Sequence, residues 1–356
     1  MTYGCNLSYD VYFVHRRTGE RCNLGAGNPW RAGFNYLISQ PSFGSVIIND
    51  TGVCCPDCVP IEGEFDLVFD DIETETEPFE AWRGPVVFVG EEDNRLVINA
   101  RDPSWWAWNA RRWSRDRNVL GVDAARLLAE TLREAEAQGD PTGIVEYVVE
   151  DVGIESDLIA ADLSPLSDQL GLQTAVARYT YIGDSRILVG DIEGFATEVT
   201  LLPSHWDGGA PTLARSLERV ASEVVVTNPT SSIVGVWPPR TASVQEAFDS
   251  IGSVRTVFIE VVDLQTEVQA VAIARAQWAR LQTPFQVSSP SGVTLNSTFP
   301  VPRRDLLPGL TVRADQIGAC LPQTDAVVQI TQVDVEISNG IEESVEIDVS
   351  ASQIAT

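Results

Sequence analysis

The chain contains no lysine, one methionine, at position 1, and two histidines, His15 and His205. All 24 basic residues are therefore arginines, and 51 aspartates and glutamates bring the formal net charge to −27. A surface with this excess of negative charge repels phosphate backbones, which argues against nucleic-acid binding outside a local patch. The use of arginine in place of lysine indicates a coding bias typical of a high-GC source.

Long apolar runs are also missing. No stretch approaches the ~20 apolar residues of a membrane span, and the N-terminus lacks the basic region and apolar core of a signal peptide. We therefore expect no membrane span and assembly in a cytoplasm. With 356 residues, 44% of them hydrophobic, the chain is long and apolar enough for a sizeable core.

Motifs of catalysis are scarce. The His-Glu-x-x-His motif, nucleotide-binding glycine loops and the Gly-x-Ser-x-Gly elbow are absent. Asp207 stands where it could orient His205, but no nucleophile accompanies the two. Carboxylate pairs for glycoside hydrolysis can be drawn from any chain with 51 acids, so they carry little weight. The sequence predicts that the protein is not an enzyme.

Cysteines are concentrated near the N-terminus, with five of the six in the first 58 residues. A Cys-x-x-Cys step in a turn can aim two thiolates at one ion. A zinc ion or an iron–sulfur cluster is one interpretation. The predicted ligands are Cys5, Cys22, Cys55 and Cys58, with Cys54 or His15 as alternatives.

Two other interpretations of these cysteines stay open, namely disulfides and inert buried thiols. A hairpin of Tyr9–Arg16 with Arg21–Leu24 would place Cys22 opposite His15. Cys5 would then lie some ten residues farther down the strand, at ~3.3 Å per residue. The two cysteines meet only if that hairpin is broken or sharply coiled.

The segment from Ala81 to Trp113 is the most informative part of the chain. Two alternating apolar runs flank the polar loop 91–94, as in a hairpin, and a segment rich in tryptophan and arginine follows. This segment is expected either to plug the end of a β-barrel or to form a nucleic-acid stacking surface, which the charge opposes. The candidate structural and interface residues are Trp82, Arg101, Asp102, Trp105, Trp106 and Trp108.

Periodicity divides the chain into three parts: β-rich residues 1–118, an inserted α/β region at 119–239, and helices followed by strands at 240–356. This order predicts a mainly β member of the α+β class, in which late strands complete an early barrel. A hairpin is predicted at Arg178–Asp191, turning at Gly183-Asp184. Helices are predicted at 119–138, 211–224, 243–251 and 265–281.

A family resemblance rests on the Ala81–Trp113 segment. Trp82-Arg83-Gly84-Pro85-Val86, a turn, and Ala100-Arg101-Asp102 leading to Trp105, Trp106 and Arg111-Arg112 resemble minor tail proteins of actinobacteriophages. These are tail-tip, or baseplate, hub proteins of long non-contractile tails. The upstream Cys54-Cys55 pair and the later Leu307-Pro308-Gly309 fit the same pattern, which covers residues 5–113 and 240–350.

The resemblance implies a structural hub similar to the T4-type and Mu-type baseplate hubs. Such a chain has two tube-like split β-barrel domains and forms a homotrimer of pseudo-sixfold symmetry at the virion tail tip. Its implied partners are the distal tail protein, the tape measure protein and other minor tail proteins, with DNA only in transit. Some hubs of long-tailed phages carry an iron–sulfur cluster. The alternatives are a tail-associated cell-wall hydrolase and a glycan- or receptor-binding tip protein.

Overall fold

The structure is a computed structural model, and it is mainly β. It describes residues 8–24, 29–49, 60–72, 79–109, 111–138, 146–190, 196–208, 212–215, 220–239, 255–282, 285–288, 292–314 and 326–354. The mainly β fold of the α+β class predicted from the sequence is confirmed. The two split β-barrels and the division into three domains stay predictions. No helix among the described residues is both long and apolar enough to cross a membrane.

The first part of the chain consists of strands and one short helix. These are β1 (Tyr9–His15), β2 (Arg21–Asn23), β3 (Trp30–Leu37), β4 (Phe43–Asn49), β5 (Phe65–Asp71), β6 (Phe79–Glu92), β7 (Arg95–Arg101) and α1 (Trp105–Asn109). A first α/β group follows. It comprises β8 (Arg117–Asp123), α2 (Ala124–Ala137), β9 (Glu146–Val149), β10 (Glu155–Ala160), α3 (Leu166–Thr174), β11 (Arg178–Tyr181) and β12 (Arg186–Gly190).

A second mixed group and a final set of strands complete the described elements. The group comprises β13 (Ala196–Leu201), β14 (Trp206–Gly208), β15 (Thr212–Arg215), β16 (Glu223–Thr227), β17 (Val234–Trp237), β18 (Thr256–Glu260) and α4 (Glu267–Arg280). The final strands are β19 (Phe285–Ser288), β20 (Val293–Leu295), β21 (Thr311–Ala314), β22 (Ala326–Ser338) and β23 (Ile341–Ile354).

Two long strands, β6 and β22, each pair with different strands along their length. The first half of β6 pairs with β5, with Pro85 opposite Asp66, and its second half pairs with β7, with Val86 opposite Ala100. Gly84 stands where β6 passes from one partner to the other, and a Cβ there would lie 1.9 Å from the carbonyl oxygen of Arg101. Only glycine allows this close approach of two backbones.

The other long strand, β22, links the end of the chain to its beginning. Its first residues pair with β21, its later residues pair with β3, with Val335 opposite Phe34, and β23 pairs along its length. The resulting order from β20 to β5 is β20-β23-β22-β3-β4-β7-β6-β5. One face of this sheet carries apolar residues into the core, including Phe34, Trp82 and Ile347.

The helical predictions are confirmed where the period is strong. Helix α2 begins after Asp123, whose Oδ1 accepts the backbone N–H of Ala125 at 2.9 Å, as an N-cap does. Helix α4 begins after Thr266, which forms a capping box with Gln269. The Gln269 amide also donates to the carbonyl of Asp157 in β10 at 3.0 Å, which ties α4 to the first α/β group.

The helix predicted at 211–224 is wrong. Thr212–Arg215 is a strand that pairs antiparallel with β19, and Glu223–Thr227 is a strand between β17 and β18. Pairing with a strand more than seventy residues away overrides the local helical period. The helix predicted at 243–251 lies outside the described residues.

The hairpins predicted from turn residues are confirmed. Strands β11 and β12 turn through Gly183 and Asp184, both with positive φ, and β6 and β7 turn through Asp93 and Asn94, whose φ angles are 51° and 59°. The β1–β2 hairpin has a different register from the predicted one, because Cys22 pairs opposite Phe13 and not opposite His15.

Candidate functional site: the tryptophan junction

The tryptophan junction is the segment Arg101–Trp113, which connects the first sheet to the first α/β group. It stands on Trp82 of β6, whose side chain is fully buried. The Trp82 ring meets Phe69 edge to face, with ring centroids 5.8 Å apart. A Cβ on Gly44 of β4 would lie 2.6 Å from the Trp82 ring, so the indole packs closely against the backbone of that glycine.

Asp102 makes the turn from β7 into helix α1. Its carboxylate accepts the backbone N–H groups of Ser42 and Ser104, the latter at 2.8 Å, and Asp102 is 1% exposed. Burial raises the pKa of Asp102, although these hydrogen bonds act in the opposite direction. The role of Asp102 is to satisfy backbone donors at a buried corner.

Helix α1 is held to the α/β group by a buried hydrogen-bond cluster. The Trp108 indole Nε1–H donates to the Tyr179 hydroxyl at 2.7 Å, and Ser104 Oγ lies 3.1 Å from the same hydroxyl. Tyr179 belongs to β11, so the contact crosses from the first sheet to the α/β group. Burial raises the pKa of Tyr179, which keeps the phenol protonated as a hydrogen-bond partner.

Two arginines make cation–π contacts with Trp106 of the junction. The guanidinium groups of Arg16 and Arg111 lie 5.7 Å and 5.2 Å from the Trp106 ring centroid. Trp105 meets Trp106 edge to face at 5.0 Å. Arg101 lies over the Phe43 ring at 4.8 Å. These cation–π and aromatic contacts lie within the chain, so they do not support a nucleic-acid stacking surface.

Trp113 ends the junction in the core of the α/β group. Its ring is fully buried, and the Arg117 guanidinium lies 5.3 Å from the ring centroid. Arg117 in turn forms an ion pair with Glu134 of α2 at 2.7 Å, and the Ser114 N–H donates to the same carboxylate. Burial raises the pKa of Glu134, but these hydrogen bonds outweigh it and hold that pKa below its usual value.

A second contact between the sheet and the α/β group lies at the start of β6. The Glu80 carboxylate accepts the hydroxyls of Tyr181 at 3.0 Å and Ser185 at 2.7 Å, and the Glu80 carbonyl accepts the Asp184 N–H at 2.8 Å. Sequence reasoning missed Glu80 and Tyr179, because contacts between residues 71 and 101 positions apart leave no local pattern.

An arginine pocket opens beside the junction. It is lined by Trp108, Asn109, Arg111, Arg112, Gln138, Pro165 and Ser167, with no acidic residue among them. Arg112 is exposed, and its backbone carbonyl accepts the Gln138 side chain, which fixes the loop against the end of α2. The lining thus holds two basic side chains and no acidic one, in a chain of net charge −27.

The outer face of the β22–β23 pair is acidic. Asp334 stands opposite Glu346, with Glu336 and Asp348 in adjacent rows of the same face, while Val333 and Val335 point into the core. Burial first, and then the nearby charges of Asp348 and Glu336, raise the pKa of Asp334. The alternation of acidic and apolar residues in the sequence is the signal that would have found this face.

Of the residues predicted for the cysteine site, the structure describes two, Cys22 and His15. Cys22 is disulfide-bonded in the structure, which agrees with one of the three interpretations left open by the sequence. Cys5, Cys54, Cys55 and Cys58 lie outside the described residues. A disulfide sulfur is not the thiolate that a metal requires, so the four-cysteine set fits a metal only with Cys22 reduced.

The two histidines have structural partners. His15 Nδ1 accepts the N–H groups of Arg17 and Thr18 at 3.2 Å, which caps the β1–β2 turn. His205 Nδ1 accepts the Leu202 N–H at 3.2 Å. The Asp207 carboxylate, the suggested partner of His205, instead accepts the Asn296 amide. The described geometry therefore gives no support to a histidine–aspartate pair.

No protein-family model and no curated protein sequence matches the chain. Among solved structures, the chain is similar to the 43 kDa tail protein of prophage MuSo2 from Shewanella oneidensis, with a TM-score of 0.62 and 12% identity over 96% of this chain and 98% of that one. Prophage tail protein gp18 from Listeria monocytogenes matches with a TM-score of 0.58 and 10% identity, over 96% of this chain and 94% of that one. The fold is that of a phage tail protein.

The chain is also similar to part of a longer protein. The Francisella PdpA–VgrG complex matches with a TM-score of 0.51 and 9% identity, over 97% of this chain and 52% of that chain. The chain thus has the whole tail-protein fold, and in the VgrG complex the same fold occupies about half of a longer chain.

Proposed function

We propose that the chain is the structural hub at the tip of a long non-contractile phage tail. Three copies form a ring that closes the tail tube, anchors the tape measure protein and the other tip proteins, and opens for the passage of DNA. The observation that carries the proposal is the likeness to the MuSo2 tail protein over 96% of this chain and 98% of the other. In this role the protein is assembled in the host cytoplasm and is not an enzyme.

The acidic face supports a place along the path of DNA. Four carboxylates, those of Asp334, Glu336, Glu346 and Asp348, lie on one face of the β22–β23 pair. A wall of this charge repels the phosphates of a passing duplex, so that DNA slides and does not adhere. We assign this face to the lumen of the ring.

The alternatives receive less support from the described residues. A glycan-binding surface built on exposed tryptophans receives no support from Trp82 and Trp113, which are fully buried. A hydrolase needs a base and a nucleophile in contact, and His205 and Asp207 have separate partners.

The test is the location and copy number of the chain in the virion. We expect three copies per tail, at the tip, in contact with the distal tail protein and the C-terminus of the tape measure protein. Reconstruction of the tail tip by electron cryomicroscopy measures the copy number, the position and the contacts. Placement along the tube, or a single copy per particle, would refute the proposal.

The metal site remains a separate proposal. Cys5, Cys22, Cys55 and Cys58, with Cys54 or His15 as substitutes, would hold zinc or an iron–sulfur cluster when reduced. Elemental analysis and the visible spectrum of protein purified without oxygen distinguish zinc, iron and neither. Alkylation of free thiols followed by peptide mapping of the same sample shows whether Cys22 is in a disulfide.

A further inference from the structure

The tip of the β6–β7 hairpin is mainly acidic, with the exposed Arg95 opposite Glu92, and the other end of the hairpin leads to the arginine pocket. At the hairpin tip, Glu91–Asn94, the side chains of Glu91, Glu92 and Asp93 are exposed. None of these three carboxylates makes a hydrogen bond or ion pair with the described residues. The tip is a two-residue turn with both φ angles positive, so its backbone conformation is well defined.

The other end of the hairpin leads to the arginine pocket. Strand β7 ends at Arg101, and helix α1 follows with Trp108 and Asn109 at the pocket wall. Arg112 is exposed there, and its side chain makes no ion pair with the described residues. The pocket therefore presents a cationic side chain with nearby aromatic surface to an anionic group from outside.

The hairpin tip cannot reach the arginine pocket of its own chain. The seven residues of β7 separate the two ends, which corresponds to ~20 Å of extended strand. An acidic loop at one end of a rigid hairpin and an arginine pocket near the other make a pair of unlike surfaces. Between identical subunits, unlike surfaces join head to tail, and such contacts close into a ring when the rotation permits.

We infer that the hairpin tip Glu91–Asn94 of one copy docks in the arginine pocket of the next copy. The occupant is a second copy of this chain, because the charges of the two surfaces are complementary and lie at opposite ends of one hairpin. This inference rests on the proposed ring and assigns a joint to it. The Trp108 and Arg112 side chains receive the tip, with Glu92 as the carboxylate facing Arg112.

Charge exchange tests the joint. Arg112→Glu and Glu92→Arg are each expected to lower the association constant of the purified ring at least ~10-fold, and the double variant is expected to recover to within ~3-fold of the wild type. Sedimentation equilibrium measures the constants. Arg17→Glu and Glu155→Arg, at exposed positions elsewhere, are the matched controls and are expected to leave association unchanged.

A photo-crosslink locates the contact directly. A benzoyl-phenylalanine at position 92, in a mixture of isotope-labelled and unlabelled copies, is expected to crosslink between copies to the peptide that contains Trp108 and Arg112. The same experiment in assembled tails tests whether another tail protein occupies the pocket. A crosslink to such a protein would overturn the inference.

The possible outcomes distinguish failure of the proposed contact between copies from failure of the proposed ring. If the wild type forms a trimer and both single variants still do, the joint is elsewhere and the proposed hub function stands. If the wild type is monomeric in solution and in the tail, and no crosslink between copies forms, both proposals fail. Recovery by the double variant cannot come from a folding defect, since two such defects would add.

Discussion

At the scale of single residues, the core of the tryptophan junction depends on the absence of one side-chain carbon. A Cβ on Gly44 would lie 2.6 Å from the Trp82 ring, whereas a Cβ on Gly171 in helix α3 meets nothing within 4 Å. We expect Gly44→Ala to lower the free energy of unfolding by ~1–3 kcal/mol through overpacking.

The matched control for this substitution is Gly171→Ala. The same added methyl group, placed in a helix with open space around it, is expected to raise the free energy of unfolding by up to ~1 kcal/mol. Urea unfolding measures both variants. Equal effects of the two substitutions would contradict the packing of Trp82 on Gly44.

A second residue-scale prediction concerns Asp334 and pH. Its pKa is raised in the folded state, first by burial and then by Asp348 and Glu336. The folded chain therefore holds this proton to higher pH than the unfolded chain, so its contribution to stability is present at low pH. That contribution is lost as the pH rises from ~4, the ordinary aspartate value, through the raised pKa.

Asp334→Asn removes the ionisable group, so stability is no longer lost as this carboxyl ionises. The variant is expected to gain ~0.2–1 kcal/mol over the wild type at pH 7, since a carboxylate opposite Glu346 is also removed. The gain should shrink as the pH falls to 4, which urea unfolding over this pH range measures. Glu20→Gln, at the exposed turn between β1 and β2, is the control, and an Asp334→Asn protein no more stable than the wild type at pH 7 would be inconsistent with the prediction.

At the scale of elements, helix α2 is fixed at its N-terminus by one carboxylate. Asp123 accepts the N–H of Ala125 inside the helix at 2.9 Å, and those of Val152 at 3.2 Å and Gly153 at 2.8 Å from the loop before β10. Asp123→Ala is expected to cost ~1–2 kcal/mol, because helix and loop lose their common acceptor.

Asp123→Asn separates the cap from the loop contact. The amide keeps one acceptor oxygen, so we expect a smaller loss than for alanine. Circular dichroism during thermal unfolding measures stability, and hydrogen exchange at Val152 and Gly153 reports the loop. Unchanged exchange at these two amides in the alanine variant would show that Asp123 does not hold the loop.

Elements that depend on neighbouring residues were predictable from the sequence. The helical period that predicts α2 and the turn residues Gly183-Asp184 are both local signals, and both predictions are confirmed. Strand β15 was predicted as a helix because its partner β19 lies more than seventy residues later. The Trp108–Tyr179 and Glu80–Tyr181 contacts were unpredictable for the same reason.

At the scale of the whole molecule, charge is separated by location. The net charge of −27 is spread over the chain, yet the β22–β23 face concentrates acids and the arginine pocket excludes them. If the acidic face lines the lumen of a tail-tip ring, its function is to keep DNA from adhering, and its charge is the property to change.

Replacing Asp334, Glu346 and Asp348 together with arginine reverses the sign of that wall. Particles that carry this triple variant are expected to assemble and to eject DNA more slowly than the wild type, with a delay that shortens as salt rises, since phosphate contacts are screened and compete with counterions. Dye fluorescence of released DNA measures the rate. The control replaces three exposed acids elsewhere, Glu150, Glu155 and Asp162, by arginine, which changes net charge equally. Equal delays for the two variants would mean that the effect comes from net charge and not from the β22–β23 face. If neither variant delays ejection, the β22–β23 face does not line the path of DNA.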